Sequence, residues 1–157
     1  MSRAILPAVV STILISVAFA GPVQAQSVVG VWLTESRSAE VRIAPCADAS
    51  YGPLCGTIVK LNDPKDQNGA PVAPEQAVDR RNPDPNLRSR KILGMVFLYG
   101  FKKGSDPNAF EGGTIYNSED GKTYSANISL QPNGTLHLHG YAGTPMFGKT
   151  QTWTRVQ

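Results

Sequence analysis

Several side chains in this 157-residue chain are of types that could act on a substrate, but none stands in a recognisable catalytic constellation. His137 and His139 are the only histidines. At i and i+2 on a predicted strand they share a face, opposite Leu136 and Leu138. A metal site would need a third ligand from elsewhere, such as Glu111 or Asp120, and a solvent-facing strand surface is the plainer reading. Hydrolysis by Ser or Cys requires a base within reach, yet there is no Gly-x-Ser-x-Gly elbow and no Ser has a nucleophile's context. Carboxylates for glycoside cleavage could be drawn from Glu111, Glu119 and Asp120. The last two, however, sit in the turn Asn117-Ser118-Glu119-Asp120-Gly121, where Asp serves the backbone geometry. No glycine-rich phosphate loop leads into a helix. The reading therefore assigns no catalytic residue, no metal and no cofactor, and a hydrolase using Glu111 ranks last among the alternatives.

Binding chemistry is better represented. Phe97, Tyr99, Phe101, Phe110, Tyr116, Tyr124 and Tyr141 lie on or beside predicted strands. Small-molecule pockets are mostly apolar with a few placed polar groups, and tyrosines supply both. Arg80, Arg81, Arg88, Arg90 and Lys91 crowd the end of a proline-rich stretch. Either these arginines pair with Asp79 and Asp84 on a solvated loop, or Arg88 and Arg90 grip the anionic head of a ligand. The candidate ligand-binding set is Arg88, Arg90, Phe97, Tyr99, Tyr116 and Tyr124. With 15 Lys and Arg against 12 Asp and Glu, the net charge of +3 is too small to imply a nucleic-acid partner.

These residues must be positioned by strands, because no helical period is sustained while period-2 alternation recurs between turns. The predicted strands are Val28–Thr34, Glu40–Pro45, Leu54–Leu61, Lys91–Phe101, Ala109–Tyr116, Lys122–Gln131, Thr135–Tyr141 and Thr150–Val156. Pro132-Asn133-Gly134 is a strong hairpin turn. An open sheet of eight strands would leave two exposed edges, and closure removes them. The predicted fold is all-β, a single eight-stranded antiparallel up-and-down barrel. Such a barrel is either filled by side chains or holds one small ligand, and alternation fits both.

One stretch interrupts the pattern. Asp63 to Arg90 is polar, carries Pro64, Pro71, Pro74, Pro83 and Pro85, and reads as a functional lid or a disordered insertion. The strand after it, apolar on both faces from Ile92 onward, needs its outer face covered by this loop or by a partner subunit, which leaves a homodimer open.

Residues 1–25 read as a signal peptide, with 26–157 as the barrel domain. Arg3 precedes an apolar stretch that ends in two small-residue cleavage patterns, Ala18-Phe19-Ala20 and Val23-Gln24-Ala25. The second is preferred because cutting after Ala20 would leave Pro22 close to the new terminus. The apolar part is short and interrupted for a membrane span, so no stable membrane anchor is expected. Cys46 and Cys55, the only cysteines, bracket the turn Gly52-Pro53 and fit a cross-strand disulfide in an oxidising compartment. A periplasmic or secreted protein is expected.

Gly30-Val31-Trp32 on the first strand and Trp153-Thr154-Arg155 on the last resemble the lipocalin/calycin signature. That resemblance implies Trp32 capping one barrel end with Arg155 across its ring. The chain also resembles a narrower exported bacterial family, domain of unknown function 2147. The matching stretches are Leu54-Cys55-Gly56-Thr57-Ile58-Val59, Asn82-Pro83-Asp84 with Leu87-Arg88-Ser89-Arg90, and Gly112-Gly113-Thr114-Ile115-Tyr116. They continue through Glu119-Asp120-Gly121-Lys122-Thr123-Tyr124 and Gly148-Lys149-Thr150-Gln151-Thr152-Trp153-Thr154-Arg155. Phe110 stands where that family would have Trp. The resemblance implies an exported lipocalin-like barrel and no established activity. The functional expectation is a barrel binding a small apolar or amphipathic molecule, with an anionic head as a further option. The alternative is a packed envelope interaction protein with no small ligand.

Overall fold

Alternation drives the chain into nine strand segments: β1 (Gly30–Leu33), β2 (Ala39–Ala44), β3 (Cys55–Leu61), β4 (Val96–Tyr99), β5 (Lys102–Lys103), β6 (Ala109–Asn117), β7 (Lys122–Leu130), β8 (Leu136–Tyr141) and β9 (Lys149–Arg155). The computed structural model describes residues 27–156. The signal segment expected over 1–25 lies outside them. Every ladder is antiparallel, and the ring closes where β4 meets β6 and β1 meets β9. β4 and β5 both run along β6, with Leu98 opposite Ile115 and Lys102 opposite Glu111. They are two pieces of one stave broken at Gly100 and Phe101. The result is the closed eight-stranded antiparallel barrel that alternation predicts.

The topology gives the barrel two different ends. One carries the start of β1 and the end of β9, together with the Pro45–Leu54 connection. The other carries the β1–β2 turn, the long segment between β3 and β4, the β6–β7 turn and the β8–β9 connection. The two are called the Arg155 end and the loop end below.

The inward faces form one core. Trp32, Val41, Ile43, Leu98, Phe101, Ala126, Ile128, Leu136, Leu138 and Trp153 are all buried in it. On β7, Ala126, Ile128 and Leu130 point inward as the alternation requires, while Ser125, Asn127 and Ser129 face away. Gly113, Ala126 and Gly140 sit directly opposite one another on β6, β7 and β8, and this row of small residues leaves room for the Phe101 ring against Gly113. Likewise Leu98 lies over Gly56 so tightly that a Cβ there would meet its Cδ1 at 2.7 Å.

At the fourth strand the structure differs from expectation. Lys91 to Met95 is irregular, and only Val96–Tyr99 is strand. Both faces read as apolar because Phe97 is an extra residue: Val96 pairs with Thr57 and Leu98 with Gly56, so Phe97 is a bulge. It turns into the core and stacks on Trp153. Part of the outer face is covered by the Pro45–Leu54 connection rather than by the long loop. Tyr51 from the Pro45–Leu54 connection meets Tyr99 edge-on at 5.4 Å between ring centroids, and Val96 stays 38% exposed. That connection is closed by the Cys46–Cys55 disulfide, as the turn chemistry predicts. A loop this short restrains the unfolded chain by about 2–3 kcal/mol.

Gly113→Ala tests the packing. Its methyl group would fall inside the contact radius of the Phe101 ring, so the variant should lose about 1–3 kcal/mol in urea unfolding. Combining it with Phe101→Leu should recover part of that loss, since the smaller side chain gives the methyl space.

Candidate functional site

The segment between β3 and β4 is built around a narrow antiparallel ribbon. Val78 bridges Lys91, Asp79 N–H donates to the Arg90 carbonyl at 2.9 Å, and Ile92 N–H donates to the Ala77 carbonyl at 3.1 Å. The tip is set by Asn82-Pro83-Asp84-Pro85. Asn82 Oδ1 accepts from Asp84 N–H at 2.9 Å, and the Asp84 carboxylate caps the turn Pro85–Leu87 through Asn86 N–H at 2.9 Å. Pro85 opens that turn with its φ already fixed. The ribbon's underside is apolar: Ile92 is buried in the core, and Ala77 packs against it.

This ribbon carries Asp79 beside Arg90, over Tyr116 on β6. Asp79 is fully buried. Its Oδ2 accepts from Arg90 Nη2 at 2.6 Å and from Asn82 Nδ2 at 2.8 Å, and its Oδ1 accepts from the Tyr116 hydroxyl at 2.7 Å. The same hydroxyl accepts from Asn82 Nδ2 at 3.2 Å, and the Arg90 guanidinium lies 5.4 Å from the Tyr116 ring centroid. Arg88 Nε donates to the Asn82 carbonyl at 2.9 Å. The Arg90 side chain is partly exposed, yet its Nε is buried with no hydrogen-bond partner among the described residues. Burial, then the hydrogen bond to and the charge of Asp79, push the Tyr116 hydroxyl up to about 12, against the opposing pull of Arg90 and Asn82.

Of the six side chains read from sequence as ligand-binding, Arg90 and Tyr116 meet in this cluster, and Arg88 adjoins it through Asn82. The other three lie elsewhere. Phe97 is in the core against Trp153. Tyr99 is on the outer wall against Tyr51. Tyr124 donates to Asp120 at 2.6 Å in the β6–β7 turn, a bond that raises its hydroxyl and lowers the Asp120 carboxyl from their ordinary values. Asp79 and Asn82 were missed as site residues. Asp79 does pair with an arginine, but buried rather than on a solvated loop, while Asp84 caps a turn instead. The available signals were the Arg–Asp79 pairing itself and the Asn82-Pro83-Asp84-Pro85 stretch, whose two prolines mark a built turn.

The remaining candidates lie apart from this cluster. His139 Nε2 lies 2.7 Å from the Pro145 carbonyl, which only accepts, so Nε2 bears the hydrogen; Nδ1 lies 2.8 Å from Thr150 Oγ1. Glu111 is exposed and pairs with Lys102 toward the Arg155 end, whereas Glu119 and Asp120 belong to the turn at the loop end. Trp32 and Arg155 are directly opposite on β1 and β9, with the guanidinium 4.2 Å from the indole centroid, as the signature implies. Two clefts open on the outer surface. One of about 610 Å³ is formed by the loop's first half, with Leu61, Pro64, Pro71 and Pro74 in its lining. Another of about 220 Å³ lies between Arg42, Thr57 and Val96 on the wall and Asp48 and Tyr51 above. No helix of the described residues is long and apolar enough to cross a membrane.

The family of uncharacterized proteins conserved in bacteria, DUF2147, matches residues 30–155. No curated protein matches the chain. Among solved structures, protein HP1028 from the human pathogen Helicobacter pylori, described as belonging to the lipocalin family, is similar with a TM-score of 0.65 and 26% identity. The match covers 83% of this chain and 84% of that one.

Tyr116→Phe should remove about 1–3 kcal/mol at neutral pH, because it leaves a buried Asp79 oxygen short of a donor. The sign with pH is fixed by the raised hydroxyl. Its contribution is complete below the ordinary tyrosine value of about 10 and is lost as pH climbs through about 12. Urea unfolding from neutral pH to that limit should show the stability gap between wild type and Tyr116→Phe narrowing only at the alkaline end.

Proposed function

We propose that this chain, which belongs to the DUF2147 family of bacterial proteins, is exported and binds a small amphipathic molecule at the loop end of its barrel. The anionic head of that molecule meets Arg90 or Arg88, and its apolar body enters where the ribbon now lies. One observation carries this reading. The loop end is covered by an insertion with an apolar underside, Ala77 and Ile92, and a polar pin, Asp79 with Arg90 and Tyr116. A cover of this kind can leave without dismantling the ladders. At the Arg155 end the interior is occupied by Trp32, Phe97, Phe101 and Trp153, so the ligand's body enters from the loop end and is short. The lipocalin description of the Helicobacter pylori protein supports small-molecule binding in general.

Export and a periplasmic or secreted location are supported by the Cys46–Cys55 disulfide. A non-catalytic role is supported by the separation of Glu111 from Glu119 and Asp120 along β6. The second reading, a packed barrel acting through its surface as a monomer or homodimer, is favoured by the filled core and by Met146 and Phe147, which are 85% and 80% exposed on the β8–β9 connection. Neither reading involves a nucleic acid.

Native mass spectrometry of protein taken from its compartment, followed by titration of stripped protein with laurate, separates the two. The binding reading expects a small-molecule adduct, or a laurate complex with micromolar affinity. A bare polypeptide mass, no laurate complex, and a concentration-dependent dimer would favour the packed barrel.

A further inference from the structure

The polar pin has an unusual division of labour. Arg90 belongs to the half of the ribbon tied to the barrel wall, since Gly94 N–H donates to the Ile58 carbonyl at 2.8 Å and Ile58 N–H to the Met95 carbonyl at 3.0 Å. Asp79 belongs to the other half. The regular backbone bonds linking that half to the Arg90 half are the two across the ribbon, Asp79 N–H to Arg90 and Ile92 N–H to Ala77. The guanidinium is also half used. Asp79 takes Nη2, while Nε stays buried without a partner among the described residues. A carboxylate seated on both nitrogens would make the stronger, two-pronged contact.

We propose that Asp79 is a built-in surrogate for the ligand's head, and that a carboxylate-headed amphiphile opens the barrel by displacing it from Arg90 and Tyr116. The inference rests on the binding reading above. Two carboxylates do not share this one guanidinium, because Asp79, fully buried, would be left as an uncompensated charge out of water. The incoming head therefore forces Asp79 to the solvent, and the half-ribbon bearing Asp79 and Ala77 goes with it. The half bearing Arg90 stays tethered to β3 and holds the head. Ala77 lifts off the core and exposes apolar surface to the ligand's body. This is a closed state that only a ligand of the right charge unseats, so the anionic head becomes the specificity element and the body alone does not open the site.

Laurate and the uncharged dodecanol serve as probes, with binding read by calorimetry and opening by amide exchange on the mature protein. In wild type, laurate should speed exchange of the Asp79 and Ile92 amides while Ile58 and Gly94 stay protected, and dodecanol should leave all four unchanged. Asp79→Asn removes the rival anion with little change of shape and should tighten laurate binding by about tenfold, whereas Arg90→Gln should weaken it by a similar factor. A merely structural pin would make both variants loosen the ribbon and move laurate affinity in the same direction, which would overturn the surrogate role. Laurate bound with the Asp79 and Ile92 amides still protected would likewise overturn the gate while leaving the binding reading intact. Failure of wild type and Asp79→Asn alike to bind laurate would sink the binding reading itself. The wild-type exchange experiment needs no variant and decides the question even where a substitution fails to fold.

Discussion

A sheet of this length survives as a closed barrel only if its first and last strands find each other, and here they do so over a very short seam. The β1–β9 ladder pairs two positions, Trp32 with Arg155 and Leu33 with Thr154. Side chains complete what the backbone leaves thin. Arg155 lies over the Trp32 ring and donates to the carbonyls of Val29 and Ser27, and the Trp32 indole N–H donates to the Val28 carbonyl at 2.8 Å. One cation and one indole thus gather the segment preceding β1 and fasten it across the end of the barrel. Without that seam two ladder edges would open and the core would meet water along both.

The two ends are closed by different physics. At the Arg155 end the closing groups sit on strands, so they leave only if ladders break. At the loop end the closing groups sit on an insertion. The half that bears Asp79 adds only Ala77 to the core, and each hydrogen bond that the Asp79 carboxylate accepts contributes about 1.5–3 kcal/mol. A cover held by a few such bonds falls within the range of local opening free energies. The asymmetry follows from the chain itself. Proline density in 63–90 keeps that stretch out of the ladders, and what ladders do not hold must be held by a few side chains.

Much of the fold was legible because β-structure writes itself locally. Tyr124, Ala126, Ile128 and Leu130 alternate with polar residues, and three of them are buried on one face. The Gly52-Pro53 turn between the cysteines fixed their pairing. The fourth strand was misjudged because a bulge defeats alternation: Phe97 and Leu98 are neighbours in sequence and both are buried. The candidate site was legible only in part for a related reason. Arg90 and Tyr116 were identified by type, but what joins them is Asp79, whose partners lie 11 and 37 residues away in the chain. No periodicity reports a polar cluster assembled across a turn and a strand.

The filled core and a carrier role are compatible because different residues are responsible for each. Trp32, Phe101 and Trp153 are set by strand register, and moving them would cost the barrel its interior. Ala77 packs on the same core from outside the sheet, so its departure breaks the ribbon's own bonds and the pin but no barrel ladder. A barrel that must fold and persist without its ligand gains from filling its own mouth, since an open apolar pocket would recruit other chains. The surrogate must then be weaker than the ligand it imitates. Asp79 meets that condition by holding the guanidinium through a single nitrogen and leaving the second donor for something better.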